Sequence, residues 1–391
     1  MKKIAFFSIP AHGHTNPMLP VAAALAARGN LVRFYSFNEF KEKIEKTGAA
    51  FISCDSFLPE LNAPEKRKLK AVSTTEMTVQ DIRITLRMDS FLNAEFSAFR
   101  PDVVYADSVC FWGKLTAWKH SVPLVVSTST FAFNQFSSRY IKNSPKELAD
   151  MIFGLPKISK ELKKLEPYGY HVQNVLSLIQ NDNDTDTVVY TSEKFQPYAE
   201  SFSARYAFVG PSVFSTLSPQ KEKKRPLIYI SLGTVINDRP DFYKKCILAL
   251  QDMNAEVIIS CGNTMPPARL GTLPPNVQIY AEVNQLEVLS KADVFITHCG
   301  MNSVSESLYM ATPMVLFPQT GEQHAAARRV TEVGAGKLLK KVSPESIKST
   351  VQEILNTPSY AKAAAICSAD FRSCPGPSGA AEFIENAPHT V

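Results

Sequence analysis

Short apolar segments alternate with longer segments of helical periodicity along almost the whole chain. This alternation is typical of parallel β-sheets built from βαβ units, so the sequence predicts an α/β fold. In the first half, the predicted strands lie at 4–9, 31–36, 51–54, 103–106, 124–127 and 188–191. In the second half, they lie at 227–232, 256–261, 277–281, 294–297 and 314–317. Because 391 residues exceed what one hydrophobic core usually supports, we expect two domains.

A segment rich in Pro, Ser and Lys separates the two series of strands and predicts a linker at 211–226. We therefore expect an N-terminal domain at 1–210 and a C-terminal domain at 227–375. For the tail at 376–391, we expect a helix that packs back on the N-terminal domain. The stretch 59–70 has no clear period and predicts a mobile loop.

The composition bounds the kind of protein. Hydrophobic residues make up 45% and charged residues 20%, which is typical of a folded soluble protein. The net charge of +5 is small for this length and is not gathered into long basic runs, so nucleic-acid binding has little support. The seven cysteines have no C-x-x-C spacing, which predicts free thiols and a cytoplasmic location. No apolar run approaches the ~20 residues that a membrane span needs. We expect a monomer without a prosthetic group or a bound metal.

The turn after the strand at 294–297 is the strongest candidate site, because ligands of parallel α/β sheets collect at the carboxyl ends of strands. Gly300 lets a ligand approach the backbone, and the N–H groups of residues 301–303 lie at the positive end of a helix dipole. The turn therefore predicts an anion site. There His298 would bind a phosphate, and Glu306 would accept from a ribose hydroxyl. In an alternative interpretation, Ser303 and Glu306 form a capping box and His298 is a buried histidine at a strand end.

The end of the strand at 314–317 adds a second polar pair. Glu322 and Gln323 place a carboxylate beside an amide, and together these can hold several hydroxyls of a sugar. Gly321 is expected to keep that turn open. A sugar site next to a phosphate site is what a nucleotide sugar requires.

These motifs resemble the donor-binding signature of the UDP-dependent glycosyltransferases. The similar residues are His298-Cys-Gly-x-Asn302-Ser303-x-x-Glu306, then Pro313 and Glu322-Gln323, with YISLGT at 229–234 and VVYTSEKFQP at 188–197. The likeness covers nearly the whole chain and is closest to the bacterial macrolide and flavonoid branch of family 1. It implies the GT-B fold, in which two Rossmann-like domains face each other across a cleft and the C-terminal domain binds the UDP-sugar.

The resemblance also implies roles for individual residues. His298 and Ser303 would meet the diphosphate, with Gly300 between them. The remaining donor-site residues that it implies are Asn302 and Glu306 for the phosphate or ribose, Glu322 and Gln323 for the sugar, Thr234 for the phosphate side, Val283 and Gln285 for the base, and Thr128 near the sugar. Many relatives carry an aromatic ring that stacks on uracil where this chain has Glu282. The sequence therefore favours sugar-nucleotide binding more strongly than a uridine requirement.

The turn after the first strand contains two histidines, His12 and His14. A neutral imidazole is a good general base, because its pKa lies near the working pH. Either ring could instead cap backbone carbonyls in the loop. The resemblance implies that His14 is the base and that His12 is structural. A helix is expected to begin at Asn16-Pro17 and to end before Gly29.

Asp107 follows the strand at 103–106 in the same predicted domain. Its carboxylate could accept from Nδ1 of His14, fix the tautomer and stabilise the protonated ring. In the alternative interpretation, Asp107 only caps a helix at 108–118. The first interpretation predicts a catalytic dyad of His14 and Asp107.

Taken together, these observations predict a metal-independent transfer of a sugar from UDP-glucose to a hydroxyl of a small hydrophobic acceptor, such as a flavonoid, a phenolic compound or a macrolide. The resemblance implies that the transfer proceeds with inversion. A minority of the aromatic residues in the N-terminal domain is expected to line the acceptor pocket. The candidates are Phe57, Phe91, Phe111, Trp112, Phe131, Phe133, Phe136 and Tyr140.

Other classes of protein have weaker support. A nucleotide-sugar epimerase of the same architecture and a non-catalytic nucleotide-sugar-binding protein are the alternatives. The chain has no G-x-G-x-x-G after the first strand and no G-x-x-x-x-G-K-[ST], which argues against dehydrogenase and phosphate-loop readings. Asp182 and Asp184 form a D-x-D pattern that other glycosyltransferases use for a metal. Because this pattern precedes a strand and is rich in Asn and Asp, it predicts a solvated loop.

Overall fold

The structure is a computed structural model that describes residues 1–58, 73–141, 145–172, 178, 184–213, 217–220, 225–262 and 265–387. The chain divides into two compact units. The first contains Met1–Arg139, Asn143–Val213 and Pro375–Val391, and the second contains Tyr140–Lys142 and Phe214–Cys374. The loop expected at 59–70 lies outside the described residues, and so do parts of the segment expected as a linker.

The first unit is built on a parallel sheet of seven strands. They are β1 Lys3–Phe7, β2 Leu31–Ser36, β3 Ala50–Ser53, β4 Val103–Asp107, β5 Leu124–Thr128, β6 Asp186–Val189 and β7 Tyr206–Phe208. Their order in the sheet is β3-β2-β1-β4-β5-β6-β7. Every neighbouring pair is parallel.

Helices connect these strands in the first unit. They are α1 His12–Thr15, α2 Met18–Ala27, α3 Lys41–Glu45, α4 Thr74–Phe99, α5 Phe111–Lys119 and α6 Pro145–Leu162. All residues of β4 are buried, and so are four of the five residues of β1. Continuous apolar strands of this kind need cover on both faces, which the helices supply. The largest core cluster accordingly joins the strands to α2 and α4.

The second unit repeats the architecture with a parallel sheet of six strands. They are β8 Leu227–Ser231, β9 Glu256–Ser260, β10 Val277–Tyr280, β11 Val294–Thr297, β12 Met314–Leu316 and β13 Gly336–Leu338. Their order is β10-β9-β8-β11-β12-β13, and every neighbouring pair is parallel. The helices of this unit are α7 Pro240–Leu250, α8 Gln285–Lys291, α9 Met301–Tyr309, α10 Gly321–Glu332, α11 Pro344–Asn356 and α12 Pro358–Ser373. The predicted α/β class is confirmed in both units.

The last helix, α13, spans Gly376–Glu385 and belongs to the first unit. It packs against α2, and Ala380, Ala381 and Ile384 are part of the core of that unit. At its end, Glu385 forms an ion pair with Arg28 at 2.8 Å. Short 3-10 helices lie at Asn38–Phe40, Asp55–Phe57, Ser137–Tyr140, Glu166–Tyr168, Ala199–Ser201 and Pro267–Leu270.

Local signals explain where several helices begin. Ser73 caps α4 by accepting from the N–H of Glu76, Asn284 caps α8, and Ser343 caps α11 with Pro344 at the first helical position.

The prediction for the first helical segment was wrong at its start. The chain is already helical from His12, and Pro17 lies between α1 and α2 with helical dihedral angles.

Among the described residues, none of the helices combines the length and the apolar character that crossing a bilayer requires.

Candidate active site in two parts

Each sheet has one place where the strand order reverses direction. In the first unit this switch point lies between β1 and β4, and in the second unit it lies between β8 and β11. The last paired residues are Phe7 with Ala106 and Ser231 with Thr297. Crevices at such switch points are where open α/β sheets bind ligands. His14, Asp107, Thr234 and His298 with the helix start after it lie at or after the ends of these four strands, whereas the other predicted site residues lie at the end of β5 or follow β10 and β12.

At the first switch point, His14 and Asp107 form a hydrogen-bonded pair. His14 lies in α1 directly after β1, and Asp107 is the last residue of β4. Nδ1 of His14 is 2.9 Å from Oδ2 of Asp107. The side chain of Asp107 is 0% exposed, whereas that of His14 is 27% exposed. A buried carboxylate thus holds a ring that a substrate can still reach. With Nδ1–H donating to Asp107, Nε2 is the basic nitrogen.

The second oxygen of Asp107 fixes the carboxylate in place. Oδ1 accepts from the N–H of Val109 at 3.1 Å. The next helix, α5, starts only at Phe111 and has Cys110 at its N-cap, so the alternative in which Asp107 caps a helix beginning at 108 is wrong. Ser129 adds a hydroxyl 3.4 Å from Nδ1 of His14.

His12 is close to His14 in the sequence, and Thr128 lies in β5, the strand next to that of Asp107. The contacts that the structure gives their side chains are to other residues. The ring of His12 packs edge to face against Phe40, with 4.9 Å between the ring centroids. Thr128 is the last residue of β5 and is 5% exposed, and its hydroxyl lies 3.4 Å from that of Thr130. The structure therefore pairs His14, and not His12, with Asp107.

At the second switch point, the ring of His298 lies between two glycines. A Cβ atom on Gly233 would lie 2.5 Å from Cε1 of the ring, and a Cβ atom on Gly300 would lie 2.5 Å from Nε2. Only residues without a side chain fit at these two positions. Burial lowers the pKa of His298 to about 4, and a backbone contact to Ser231 opposes that shift. The ring is therefore neutral near pH 7 and acts as a hydrogen-bonding group without a charge.

The helix start after β11 exposes backbone donors. Cys299 has a φ of 67°, and Gly300 is the N-cap of α9, with no side-chain hydrogen bond that caps the helix. The first-turn N–H groups of a helix point outward and attract anions. Because the helix begins at Met301, Ser303 lies inside its first turn, so the alternative of a capping box formed by Ser303 and Glu306 is wrong.

Gln285, Ser303 and Glu306 come together beside this helix start. Nε2 of Gln285 donates to Oε2 of Glu306 at 2.7 Å and lies 3.4 Å from Oγ of Ser303. The hydroxyl of Tyr229 donates to Oε1 of Gln285 at 3.1 Å. Burial raises the pKa of Glu306 to about 7, and the hydrogen bond from Gln285 opposes the shift. This network holds Glu306 in one orientation.

The other residues of the second unit that were predicted for the donor lie on the turns and helix starts after β8, β10 and β12. Thr234 is exposed in the turn after β8, and Val283 is half-buried just before Asn284, the N-cap of α8. Glu322 and Gln323 lie in the first turn of α10, since Gly321 is a helical residue and not part of an open turn as expected. Oε1 of Gln323 accepts from the N–H of Gln319 at 2.8 Å, and Glu322 is exposed.

The aromatic candidates divide into core and partly exposed residues. Those that are almost fully buried are Phe111, Trp112, Phe131 and Tyr140. Phe57 and Phe91 are half-buried and contact each other, with 5.0 Å between their ring centroids. Phe136 is 41% exposed. Phe133 is also half-buried, so four of the eight candidates keep some accessible surface, and which of them line an acceptor pocket stays a prediction.

The structure bears on metal binding in two ways. Within the described ranges, no three His, Cys, Asp or Glu side chains are grouped as metal ligands would be. In the D-x-D pattern, Asp182 lies outside the described residues. Asp186, two residues after Asp184, opens β6 and forms an ion pair with Arg205 at 3.0 Å.

Three residues that interact with the site residues were not predicted as candidates from the sequence. Tyr229 and Gly233 belong to the YISLGT segment that was noted only as a likeness. Asp81 lies in the middle of α4, and its pKa is raised to about 8. The main cause is burial, the charge of Asp107 adds to the shift, and His14 opposes it. No strand end or turn signal marks Asp81 in the sequence.

Comparison with solved structures and with family models shows which class of protein this chain belongs to. CalG4, the calicheamicin glycosyltransferase, has a solved structure that matches with a TM-score of 0.80 and 27% identity, over 98% of each chain. Two parallel α/β units with this topology are the GT-B fold of glycosyltransferases. The model of the family described as UDP-glucoronosyl and UDP-glucosyl transferase matches residues 219–375.

Curated relatives define the family. NDP-glycosyltransferase YjiC of Bacillus licheniformis is 34% identical over 98% of this chain and 97% of its own length. Demethyllactenocin mycarosyltransferase of Streptomyces fradiae is 29% identical over 98% of this chain and 86% of its own length. The chain therefore belongs to the UDP-dependent glycosyltransferases of family 1, in the bacterial macrolide branch, and is an enzyme that transfers glycosyl groups.

Proposed function

We propose that this enzyme transfers glucose from UDP-glucose to a hydroxyl of a small hydrophobic acceptor, such as a phenolic compound, a flavonoid or a macrolide, with inversion at the anomeric carbon. The observation that carries the proposal is the pair of His14 and Asp107 at the first switch point, with 2.9 Å between Nδ1 and Oδ2. A partly exposed imidazole on a fully buried carboxylate is the arrangement that general-base catalysis needs.

The proposed reaction has one displacement step. Nε2 of His14 takes the proton of the acceptor hydroxyl as its oxygen attacks the anomeric carbon. The bond from that carbon to the diphosphate oxygen breaks, and UDP leaves with the electron pair. Asp107 accepts from Nδ1–H throughout and stabilises the imidazolium that forms.

We propose that the second unit holds the donor. The diphosphate would bind the first-turn N–H groups of α9, including those of Asn302 and Ser303, and would accept a hydrogen bond from the neutral ring of His298. Glu306 would bind a ribose hydroxyl, in the orientation that Gln285 gives it. The other proposed contacts are Gly300 and Thr234 at the phosphates, Val283 and Gln285 toward the base, Glu322 and Gln323 at the sugar, and Thr128 near the sugar.

The acceptor class has two supports. Relatives of this chain are named for transfer to lactenocin and oleandomycin compounds. In the chain itself, Phe57 and Phe91 offer half-buried aromatic surface in the first unit. A monomeric, cytoplasmic enzyme is part of this proposal, and the seven free cysteines agree with a reducing compartment.

The first test replaces the two histidines of α1 separately. His14→Ala should lower kcat for glucosyl transfer by about 10²- to 10⁴-fold, because the general base is lost. UDP affinity should stay nearly unchanged, since the proposed contacts to the UDP part of the donor lie in the other unit. His12→Ala is the matched control, because His12 packs on Phe40. Transfer is measured as UDP release with a panel of phenolic acceptors. Full activity of His14→Ala together with loss in His12→Ala would contradict the assignment.

The second test concerns the donor. His298→Ala should weaken the binding of UDP in calorimetry, whereas His324→Ala, in the exposed first turns of α10, should not. Unchanged UDP affinity in His298→Ala would remove its phosphate role. The same titration with UDP-, TDP- and GDP-sugars tests the uridine preference, since Glu282 is exposed where a stacking ring was expected.

A further inference from the structure

The outer face of α6 carries a run of exposed apolar side chains. Ile152, Phe153 and Leu155 have exposed fractions of 64%, 82% and 47%. Pro156 continues the run and is also exposed. Single exposed apolar residues are common on protein surfaces, but a contiguous group of them on one stretch of helix marks an interaction surface. We call these four residues the apolar patch.

The packing of the opposite face of α6 holds the apolar patch outward. An added Cβ on Gly154 would overlap the hydroxyl of Thr75, so α6 lies directly against the start of α4. One turn later, Ile158 is 4% exposed and belongs to a core cluster with Val79 of α4. A rotation of α6 that buried Phe153 would pull this inner face out of the core. The apolar patch therefore needs a partner other than the rest of this helix pair.

Positive charge follows the apolar patch directly along the chain. Between residues 157 and 164 lie four lysines and one glutamate. Two of the lysines, Lys157 and Lys164, form ion pairs within the chain. The other two, Lys160 and Lys163, are exposed, and no ion pair within the described ranges involves them. The outer surface of this segment thus combines large apolar side chains with cations that have no acidic partner.

We propose that this face of α6 docks on the surface of a membrane that contains anionic lipids. Phe153 and the other apolar side chains would enter the boundary between headgroups and acyl chains. Lys160 and Lys163 would contact the negative headgroups, with their methylene stems along the apolar layer. The inference goes beyond glycosyl transfer and does not depend on the proposed donor or acceptor.

The size and the charge of this face favour a lipid surface over a second copy of the chain. The apolar patch of four side chains is much smaller than the ~800 Å² that each partner of a stable interface buries. A symmetric contact around so small a patch would also bring the lysines of both copies together, and like charges that face each other cost free energy. An anionic surface attracts the same lysines.

The test measures binding to sedimented vesicles of phosphatidylglycerol mixed with phosphatidylcholine, and to vesicles of phosphatidylcholine alone. The wild type should bind the anionic vesicles more tightly, and added salt should weaken this binding. Phe153→Ser should weaken it by about 10- to 100-fold, as the loss of one inserted phenyl ring implies. Lys160→Gln and Lys163→Gln should each weaken it by about 5-fold. Ile366→Ser is the matched control, because Ile366 is 71% exposed on α12 of the second unit, and it should leave vesicle binding unchanged.

Melting temperature separates a loss of docking from a loss of folding. The replaced side chains are exposed, so all four variants should melt close to the wild type. Three results would overturn the proposal: a wild type that stays unbound, equal binding to both kinds of vesicle, or binding that Phe153→Ser leaves intact. Light scattering after size-exclusion chromatography supplies the last arm. A dimer that Phe153→Ser splits, in a protein that binds no vesicles, would assign this face to a second copy and overturn the proposal as well.

Discussion

The two glycines around His298 allow a sharp test of how the phosphate part of the site is built. An added Cβ on Gly300 would lie 2.5 Å from Nε2 of the ring, and one on Gly233 would lie 2.5 Å from Cε1. Real Cβ atoms do not approach other atoms so closely, so the ring must move in either alanine variant. A displaced ring could no longer donate its N–H to the diphosphate that we propose binds there.

The expected magnitudes differ because the backbones differ. Gly300 has a φ of −61°, which alanine adopts without strain, so Gly300→Ala measures the steric conflict alone, about 1–3 kcal/mol. Gly233 has a φ of 72°, which adds about 1–2 kcal/mol for a residue with a side chain. Gly334 is the matched control, since its φ is 76° and its added Cβ would meet only the methyl of Ala363 at 3.6 Å. Gly334→Ala therefore measures the backbone term alone.

Thermal unfolding and UDP titration read out these differences. For a unit of this size, each kcal/mol shifts the melting temperature by about 2–4 °C. Gly233→Ala should melt lowest, and both Gly233→Ala and Gly300→Ala should bind UDP more weakly, whereas Gly334→Ala should bind it normally. Combining Gly300→Ala with His298→Ala should recover stability but not affinity. If Gly300→Ala melts and binds like the wild type, the ring does not occupy the space between the glycines and the reasoning is refuted.

Two further substitutions test the other polar contacts. Asp107→Asn should lower kcat by about 10²- to 10⁴-fold with little change in UDP affinity, because an amide cannot stabilise the imidazolium of His14. A kcat near the wild-type value in steady-state assays would contradict this expectation. Glu306→Gln should raise the melting temperature at pH 8 but not at pH 4. Burial raises the pKa of Glu306 from 4.5 in the unfolded chain to about 7 in the folded protein. Deprotonation of Glu306 therefore destabilises the native state as the pH rises from about 4.5 to about 7, and glutamine removes this effect. An equal effect at both pH values would show that ionisation is not the cause.

Much of the fold could be predicted because buried parallel strands are continuous apolar runs. The strands at Leu31–Ser36 and Val294–Thr297 have the predicted bounds. The three-residue edge strands β7 and β13 were missed, because the apolar run of β7 is very short and β13 is not an apolar run. In β13, Gly336 fits because an added Cβ would lie 2.6 Å from the carbonyl oxygen of Met314, which is a tertiary contact that the local sequence does not contain.

The helix after β1 shows how a correct local signal can mislead. Proline at a first helical position is a good start signal, and Pro17 does have helical dihedral angles. Yet the chain turns into a helix earlier, because the N–H groups of His14 and Thr15 bond back to the carbonyl of Ala11. This early turn places His14 within hydrogen-bond distance of Asp107.

The candidate site was predictable where its residues follow strands, and not where they arrive from elsewhere in the chain. Asp107 ends β4, His298 follows β11 directly and His14 lies in the short helix after β1, so the topology rule for parallel sheets finds them. Asp81 lies in the middle of α4, where no strand end or turn marks it, and its interaction with the charge of Asp107 depends on the packing of the folded chain. The raised pKa values of Asp81 and Glu306 also depend on burial, which is a property of the folded chain.

The two switch points use one topological position for two kinds of chemistry. At a switch point the neighbouring strands lead to opposite faces of the sheet, so the turns there leave backbone and strand-end side chains uncovered. Between β1 and β4, this opening holds His14 and Asp107, for which we propose the proton transfer. Between β8 and β11, it holds glycines and a helix start, whose backbone N–H groups we propose bind the diphosphate. Substitutions within the strands should therefore change stability first, whereas substitutions in the four turns after β1, β4, β8 and β11 should change chemistry or donor affinity first.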